Sequence, residues 1–234
     1  MNEDAQPQVG QNVTGRIVLS TAEIEGYTDA GITRSVQTLS DYTGYTFTLT
    51  GTSGIDGHVV NQTINLAGGP VEVEAGTYTL TVSNESAIQT GKGFPTYSGT
   101  SDEFALHVLE TEVISIAMGK PSNSRVTVDS TSTFSTYYTD VCLTLSGGGR
   151  TIAIGKAGDY DEAYFPAGTT LTYTLTAHAR RNKHLTDICT TSSTLPVTLV
   201  AGKHYTLSLT LDPESLTPGE IIPLISGSHT GEFD

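Results

Sequence analysis

Hydrophobic and polar residues alternate one for one through much of this chain. Tyr45, Phe47 and Leu49 are interleaved with Thr46, Thr48 and Thr50, and Tyr78, Leu80 and Val82 with Thr77, Thr79 and Thr81. Leu171, Tyr173, Leu175 and Ala177 repeat the pattern, as do Tyr205, Leu207, Leu209 and Leu211. A period of two sends one set of side chains into a core and the other into water, which predicts half-buried antiparallel strands. The wet set is mostly threonine, a β-branched residue that favours strands and resists helix. No amphipathic helix of three turns is evident; the best candidate, Asp102 to Glu112, reads equally well as a strand.

The strands also repeat in order. "EAGTYTLTVSN" (Glu74 to Asn84), "PAGTTLTYTLTA" (Pro166 to Ala177) and "VAGKHYTLSLTL" (Val200 to Leu211) each place Ala-Gly just before a strand. Glycine takes φ > 0 without steric cost, so it suits a tight turn into a strand. A tyrosine near the strand start points inward, with its hydroxyl at the sheet edge. After the first copy come a long loop, a short strand "EFALHVL", a turn and "VISIAM". After the second come the loop "HARRNKHLTDICTTSS", a short strand "TLPVTLV", the turn "AGK" and "HYTLSLTL". Two homologous β-sandwiches are the simplest source of that order. The expected layout is a polar leader over 1–11, sandwiches over 12–120 and 121–213, and a tail over 214–234, joined near "MGKPSNSRVTVD". Val126 and Val128 would open the second sandwich, with Phe134, Tyr137 and Tyr138 following. "SGGGRT" (Ser146 to Thr151) predicts a hairpin turn.

Composition supports an all-β chain of short strands and many turns. Its 234 residues include 39 Thr, 25 Gly and 9 Pro. The net charge of −14 disfavours nucleic acid and anionic lipid surfaces as partners. It is unevenly spread: 14 acids face 4 bases over 1–120, 7 face 7 over 121–213, and the tail carries 4 acids and no base. No run of 18 apolar residues predicts a spanning helix. The cysteines, Cys142 and Cys189, could pair in an oxidising compartment and would stay reduced in the cytosol, and two cysteines alone fix no framework; closing so long a loop contributes about 4 kcal/mol in the chain-entropy model.

Three phrases, "AGTYTLTV", "GFPTYSGTSDEFAL" and "SNSRVTVDSTSTFSTYYTD", together resemble the fimbrillin-like cell-adhesion lipoproteins of Bacteroides-type bacteria. The matching residues are Ala75, Gly76, Tyr78, Tyr97, Gly99, Asn123, Val126, Val128 and Phe134, in a pattern covering roughly 12–213. The resemblance implies two tandem antiparallel sandwiches of Greek-key, transthyretin-like or fimbrillin-like type. It also implies export, outer-membrane anchoring by an N-terminal lipid and display at the cell surface. The lipid-bearing cysteine of that group is absent before Asn2, so membrane attachment would come through a lipid missing from this chain. The acidic "NED" suits the stretch that follows such a cysteine.

Catalytic signatures are missing: neither Gly-x-Ser-x-Gly nor His-Glu-x-x-His occurs, and the six histidines are scattered. Asp159, Asp161 and Glu162 stand close together, but too few oxygens accompany them for a calcium loop, and an acidic hairpin turn is the plainer reading. No Cys/His cluster suits zinc, and no cofactor is implied. For carbohydrate, there is no tryptophan; Tyr42, Tyr97, Tyr137, Tyr138 and Tyr160 are the tyrosines placed in loops or near edges, where core or turn roles compete. Arg180, Arg181 and Lys183 form the densest basic spot, flanked by His178 and His184; it reads as a solvated loop or as a dock for an acidic partner. Within the Pro/Gly-rich tail, Ile221, Ile222, Leu224 and Ile225 form an apolar patch. It reads as a tether, a cover strand on its own domain, or a strand added to a neighbouring sheet.

The expectation is therefore a non-enzymatic adhesion or fimbria-type protein that presents loops and edges to a protein or glycan partner. Tyr97, the basic spot and the tail are the candidate contacts. A glycan-binding accessory lipoprotein of the same surface is the alternative.

Overall fold

Where the chain alternates, the backbone runs in strands. The structure, a computed structural model, describes residues 13–25, 36–38, 41–85, 90–181, 185–190, 192–211 and 222–226. The chain divides into two units. The first gathers Met1–Ile24, Gln37–Ala87 and Ser98–Gly119, the second Glu25–Val36, Ile88–Tyr97 and Lys120–Asp234.

The first unit holds β1 (Thr14–Glu25), β2 (Val36–Thr38), β3 (Thr46–Ser53), β4 (Val59–Ile64), β5 (Val71–Glu74), β6 (Gly76–Ser83), β7 (Ser98–Thr100), β8 (Phe104–Leu106) and β9 (Thr111–Gly119). One sheet runs β2-β1-β5 with β9 also on β1; the other runs β4-β3-β6-β7 with β8 also on β6. The second unit holds β10 (Asn123–Ser130), α1 (Ser132–Tyr137), β11 (Tyr138–Gly147), β12 (Arg150–Ile154), β13 (Glu162–Pro166), β14 (Thr170–Ala179), β15 (Ile188–Cys189), β16 (Ser193–Thr198), β17 (His204–Leu209) and β18 (Ile222–Ser226). Its sheets run β13-β10-β17-β18 and β12-β11-β14-β15, with β16 also on β14.

The two halves share most of their strand pairings; among the described residues, β2 on β1 and β18 on β17 are each found in one half only. β1–β5, β3–β4, β3–β6, β6–β7 and β6–β8 reappear as β10–β13, β11–β12, β11–β14, β14–β15 and β14–β16. This is the duplicated all-β sandwich expected from the repeated strand order. One detail departs from the purely antiparallel expectation: the first and last strands of each repeat, β1 with β9 and β10 with β17, pair in parallel. Alternation along a strand reveals which face is buried but not the direction of its neighbour, so this was invisible in the sequence.

Period-two burial is realised in β3, β6 and β14, whereas β17 also buries His204 and Ser208 on its other face. Phe47, Leu49, Tyr78, Leu80 and Val82 are buried in the first unit, and Leu171, Leu175, Ala177, Tyr205, Leu207 and Leu209 in the second, while Tyr45 and Tyr173 are half-buried. Each such leucine or phenylalanine contributes roughly 1.5–3 kcal/mol on leaving water. The Gly-Gly turn at 148–149 has φ 56 and 76, the twist a two-residue hairpin between β11 and β12 requires. The one α-helix among the described residues, α1, was not expected. Thr131 caps it by accepting from the Phe134 N–H at 3.2 Å, and Phe134 fills the core beneath.

The Ala-Gly repeats serve two purposes. Gly168 and Gly202 lie in turns at φ 79 and 68. Gly76 is different: a β-carbon there would sit 2.4 Å from the Thr52 carbonyl and 2.7 Å from the Tyr78 hydroxyl. Close approach, rather than a left-handed turn, demands that glycine. The approach lets the buried Tyr78 hydroxyl donate to the Glu74 carbonyl at 2.9 Å. In the second unit a buried tyrosine on a different strand, Tyr205 of β17, also ties its hydroxyl to backbone, accepting from the Val200 N–H at 3.0 Å.

The outer edge of β13 is covered by residues 90–97, which belong to the second unit. The Tyr164 N–H donates to the Lys92 carbonyl at 2.8 Å. Arg150 donates to the carbonyls of Gly91 (2.7 Å) and Tyr164 (2.6 Å). Glu162, its side chain 17% exposed, receives Lys92 Nζ and Arg125 Nε at 2.6 Å each. Burial pulls its carboxyl up, but the Lys92 hydrogen bond and the Arg125 and Lys92 charges outweigh it and hold the pKa below the ordinary value. Burial beside that carboxylate pushes the Tyr164 phenol up to about 12. Asn123 clamps the rest of the segment: its amide nitrogen donates to the Phe94 carbonyl (2.8 Å) and its oxygen accepts from the Thr96 N–H (3.2 Å). An edge strand left bare would be a template for foreign pairing, and this segment occupies it.

At the opposite edge of the same sheet, β18 lies antiparallel to β17, with Ile222, Leu224 and Ile225 opposite Ser208, Thr206 and Tyr205. Pro223 falls opposite Leu207, and β18 is an edge strand, the place where a sheet tolerates proline. Ile221 and the leader 1–11 lie outside the described residues.

Candidate functional site

The basic spot of the sequence becomes one wall of a cleft on the second unit. Its shape starts from a bulge. Thr139 pairs with His178 and Cys142 with Thr176, so Asp140 and Val141 together face the single residue Ala177. Asp140 takes φ 51, a left-handed conformation that aspartate tolerates better than most side chains. The bulge sets Asp140 on the rim of two adjoining cavities of ≈ 710 and ≈ 460 Å³, which share Thr139, Asp140 and Arg180.

The far end of β14 supplies the opposite wall. The Arg180 N–H donates to the Tyr137 carbonyl and its Nε to the Ser135 carbonyl, both at 2.9 Å. Those carbonyls lie in the last turn of α1, where a cation is favourable. His178 Nδ1 and Asp187 Oδ2 are 2.8 Å apart, and Asp187 Oδ1 accepts the Ala179 N–H at 2.8 Å. The hydrogen bond and charge of Asp187, with a smaller contribution from Asp140, raise the His178 pKa; the His178 bond and the Ala179 N–H lower that of Asp187. Arg181 is exposed, lines the larger cavity and has no ion pair among the described residues. Lys156, Asp129 and Asp161 line the smaller one.

Thus Arg180 and Arg181 do come together, whereas Lys183 and His184 lie outside the described residues. Sequence reasoning missed Asp140, Asp187 and Lys156. Asp187 had a weak local signal in "KHLTDIC"; Asp140 had none, because only strand pairing brings it to His178. Tyr97 lies in the loop just before β7, but it is only 7% exposed, and burial pushes its phenol up. Tyr138 is buried too, and Tyr42, Tyr137 and Tyr160 are half-buried, so none of these rings forms an open platform.

The disulfide is ruled out by the sheet. Cys142 and Cys189 are both free, and they pair with Thr176 from opposite sides, one strand apart on each flank. Two strand spacings make about 10 Å, beyond the roughly 7 Å that a disulfide spans. Among the described residues no group of three or more His, Cys, Asp or Glu could hold a metal ion, and no helix is long and apolar enough to cross a membrane.

The fold defines a class: an all-β protein of two duplicated sandwiches with a charged cleft on the second. The family follows from sequence. A model described as "Domain of unknown function (DUF4493)" matches residues 14–228, and the chain belongs to that family. No curated protein matches it. Among solved structures it is similar to a candidate adhesin from Bacteroides ovatus ATCC 8483, at 11% identity over 92% of this chain and 95% of that one, TM-score 0.35. It is also similar to the fimbrial anchor protein Mfa2 from Porphyromonas gingivalis, at 12% identity over 92% and 98%, TM-score 0.38. A third is the pilus adhesin SpaC from Lactobacillus rhamnosus GG, at 14% identity over 70% and 26%, TM-score 0.26.

Proposed function

We propose that this chain is a non-enzymatic cell-surface protein used in adhesion or as a fimbria-type component. Two sandwich modules, the second completed by residues 90–97 and β18, act as stiff spacers, and an N-terminal lipid outside this chain anchors them to the outer membrane. The observation that carries the reading is β18. It follows a Pro/Gly-rich stretch and adds to its sheet along one side only, through β17. A strand held at an edge by backbone pairing can be exchanged for the same strand of another copy. The sequence resemblance to fimbrillin-like lipoproteins points the same way. Sedimentation of the purified chain over a range of concentrations tests it. Higher assemblies should form and disappear when 214–234 is deleted; a strict monomer with and without the tail would refute the assembly role. Adhesion through a glycan is the second reading, and the cleft favours it.

A further inference from the structure

We propose that the cleft between the β11 bulge and the end of β14 is a binding site for a glycan carrying a carboxylated sugar. The lining dictates the chemistry. Among the described residues that line the larger cavity only Ala179 is apolar; the others are the Arg180 and Arg181 donors, the Asp140 and Asp187 acceptors, the Thr139 hydroxyl and the His178 ring. An apolar side chain or acyl tail would strip water from these groups and return nothing. A sugar presents donors and acceptors around its whole rim and satisfies both kinds.

Charge decides where the carboxylate goes. His178 and Asp187 answer each other at 2.8 Å. Beside that pair, the described residues lining the larger cavity set two guanidiniums against one carboxylate, Asp140: the lining carries one positive charge in excess when His178 is protonated and balances when it is neutral, in a chain of net −14. Along the smaller cavity Asp129 and Asp161 accompany Lys156, so that end supplies acceptors for neutral hydroxyls. The acidic sugar therefore belongs at the arginine end and uncharged sugars towards Asp161. Arg180 suits it: Nε donates to the Ser135 carbonyl, and the two terminal nitrogens are the donors that pair with a carboxylate side by side. The cavities, at ≈ 710 and ≈ 460 Å³, fall within the roughly 300–1,000 Å³ of small-ligand sites. With no aromatic platform and much of the site wet, a single site binds only at about millimolar Kd, and repetition on a surface multiplies that avidity.

The inference deepens the surface-contact reading and rests on it only for its setting. A protein that assembles but ignores sugars loses this inference and keeps the other. The test is a titration of the ¹⁵N-labelled full chain with tri-galacturonic acid, galactotriose and tri-glutamate. Tri-galacturonic acid should saturate, moving the amides of residues 139–140 and 178–181. Arg181→Gln should weaken it at least tenfold without changing the melting temperature. Arg16→Gln, which removes the same charge from an exposed pair on the first unit, should leave it within twofold. Galactotriose binding as tightly would overturn the carboxylate, and tri-glutamate binding as tightly would overturn the sugar. No saturation by about 50 mM, or equal losses in the two arginine variants, would remove the site.

Discussion

Glu162 offers the sharpest test of how the covered edge of β13 is held. Its carboxylate is 17% exposed and receives two cations, Lys92 (45% exposed) and Arg125 (32%), each at 2.6 Å. Glu162→Gln keeps the shape and removes the charge. An exposed pair is worth about 0–1 kcal/mol, and a charge-assisted hydrogen bond inside a structure about 1.5–3 kcal/mol. The Lys92 contact belongs near the first range and the Arg125 contact nearer the second. The expected loss at pH 7 is about 2 kcal/mol, or ~8 °C in melting temperature for a unit of this size. Urea unfolding followed by tyrosine fluorescence measures it, since there are 11 Tyr and no Trp. pH supplies an independent check. The folded carboxyl titrates below its ordinary 4.5, so its stabilisation is full above that value and fades as pH falls through the lowered folded pKa. Wild type and Glu162→Gln should converge in acid. A gap below about 0.5 kcal/mol at pH 7, or one that is unchanged at pH 3, would refute the reasoning.

Three further outcomes are expected. Gly76→Ala should cost at least about 2 kcal/mol, because the backbone carbonyl of Thr52 blocks the new methyl, whereas Tyr78→Phe should cost only about 1 kcal/mol; both are read by chemical denaturation. Asp140→Gly should stay within about 1 kcal/mol of wild type, and Asp140→Val should lose about 2 kcal/mol or more, since a branched side chain pays fully for φ 51. Non-reducing mass spectrometry after thiol alkylation should find both cysteines modified in air-exposed protein, with the exposed Cys189 reacting first and no stability lost to reductant; a protected pair would contradict the strand register around Thr176.

Much of the architecture was legible because alternation reports burial directly. Phe47, Leu49, Leu80 and Leu207 sit where a period of two puts them. The order of strands was legible because the chain repeats itself. What the pattern does not carry is pairing. The parallel contact of β10 with β17 joins Val126 to Tyr205, and nothing local in either segment announces the other. The cleft shows the same limit. The arginines are neighbours in sequence and stand out there, whereas Asp140 reaches them only through a bulge. Asn123 is the instructive middle case: its presence in the motif was visible, but its work, a two-way amide clamp on residues 94–96, needed the fold.

The piece that finishes the β13 edge is made long before the strand it completes. Lys92 precedes Glu162 by 70 positions and Gly91 precedes Arg150 by 59. At ribosomal speeds of about 5–20 residues per second, the early piece waits several seconds for its partners to emerge. A gene fragment beginning at Lys120 would never contain it. Such a truncated product would be born with a raw sheet margin, and its tendency to clump would reflect how the gene was cut rather than the native protein.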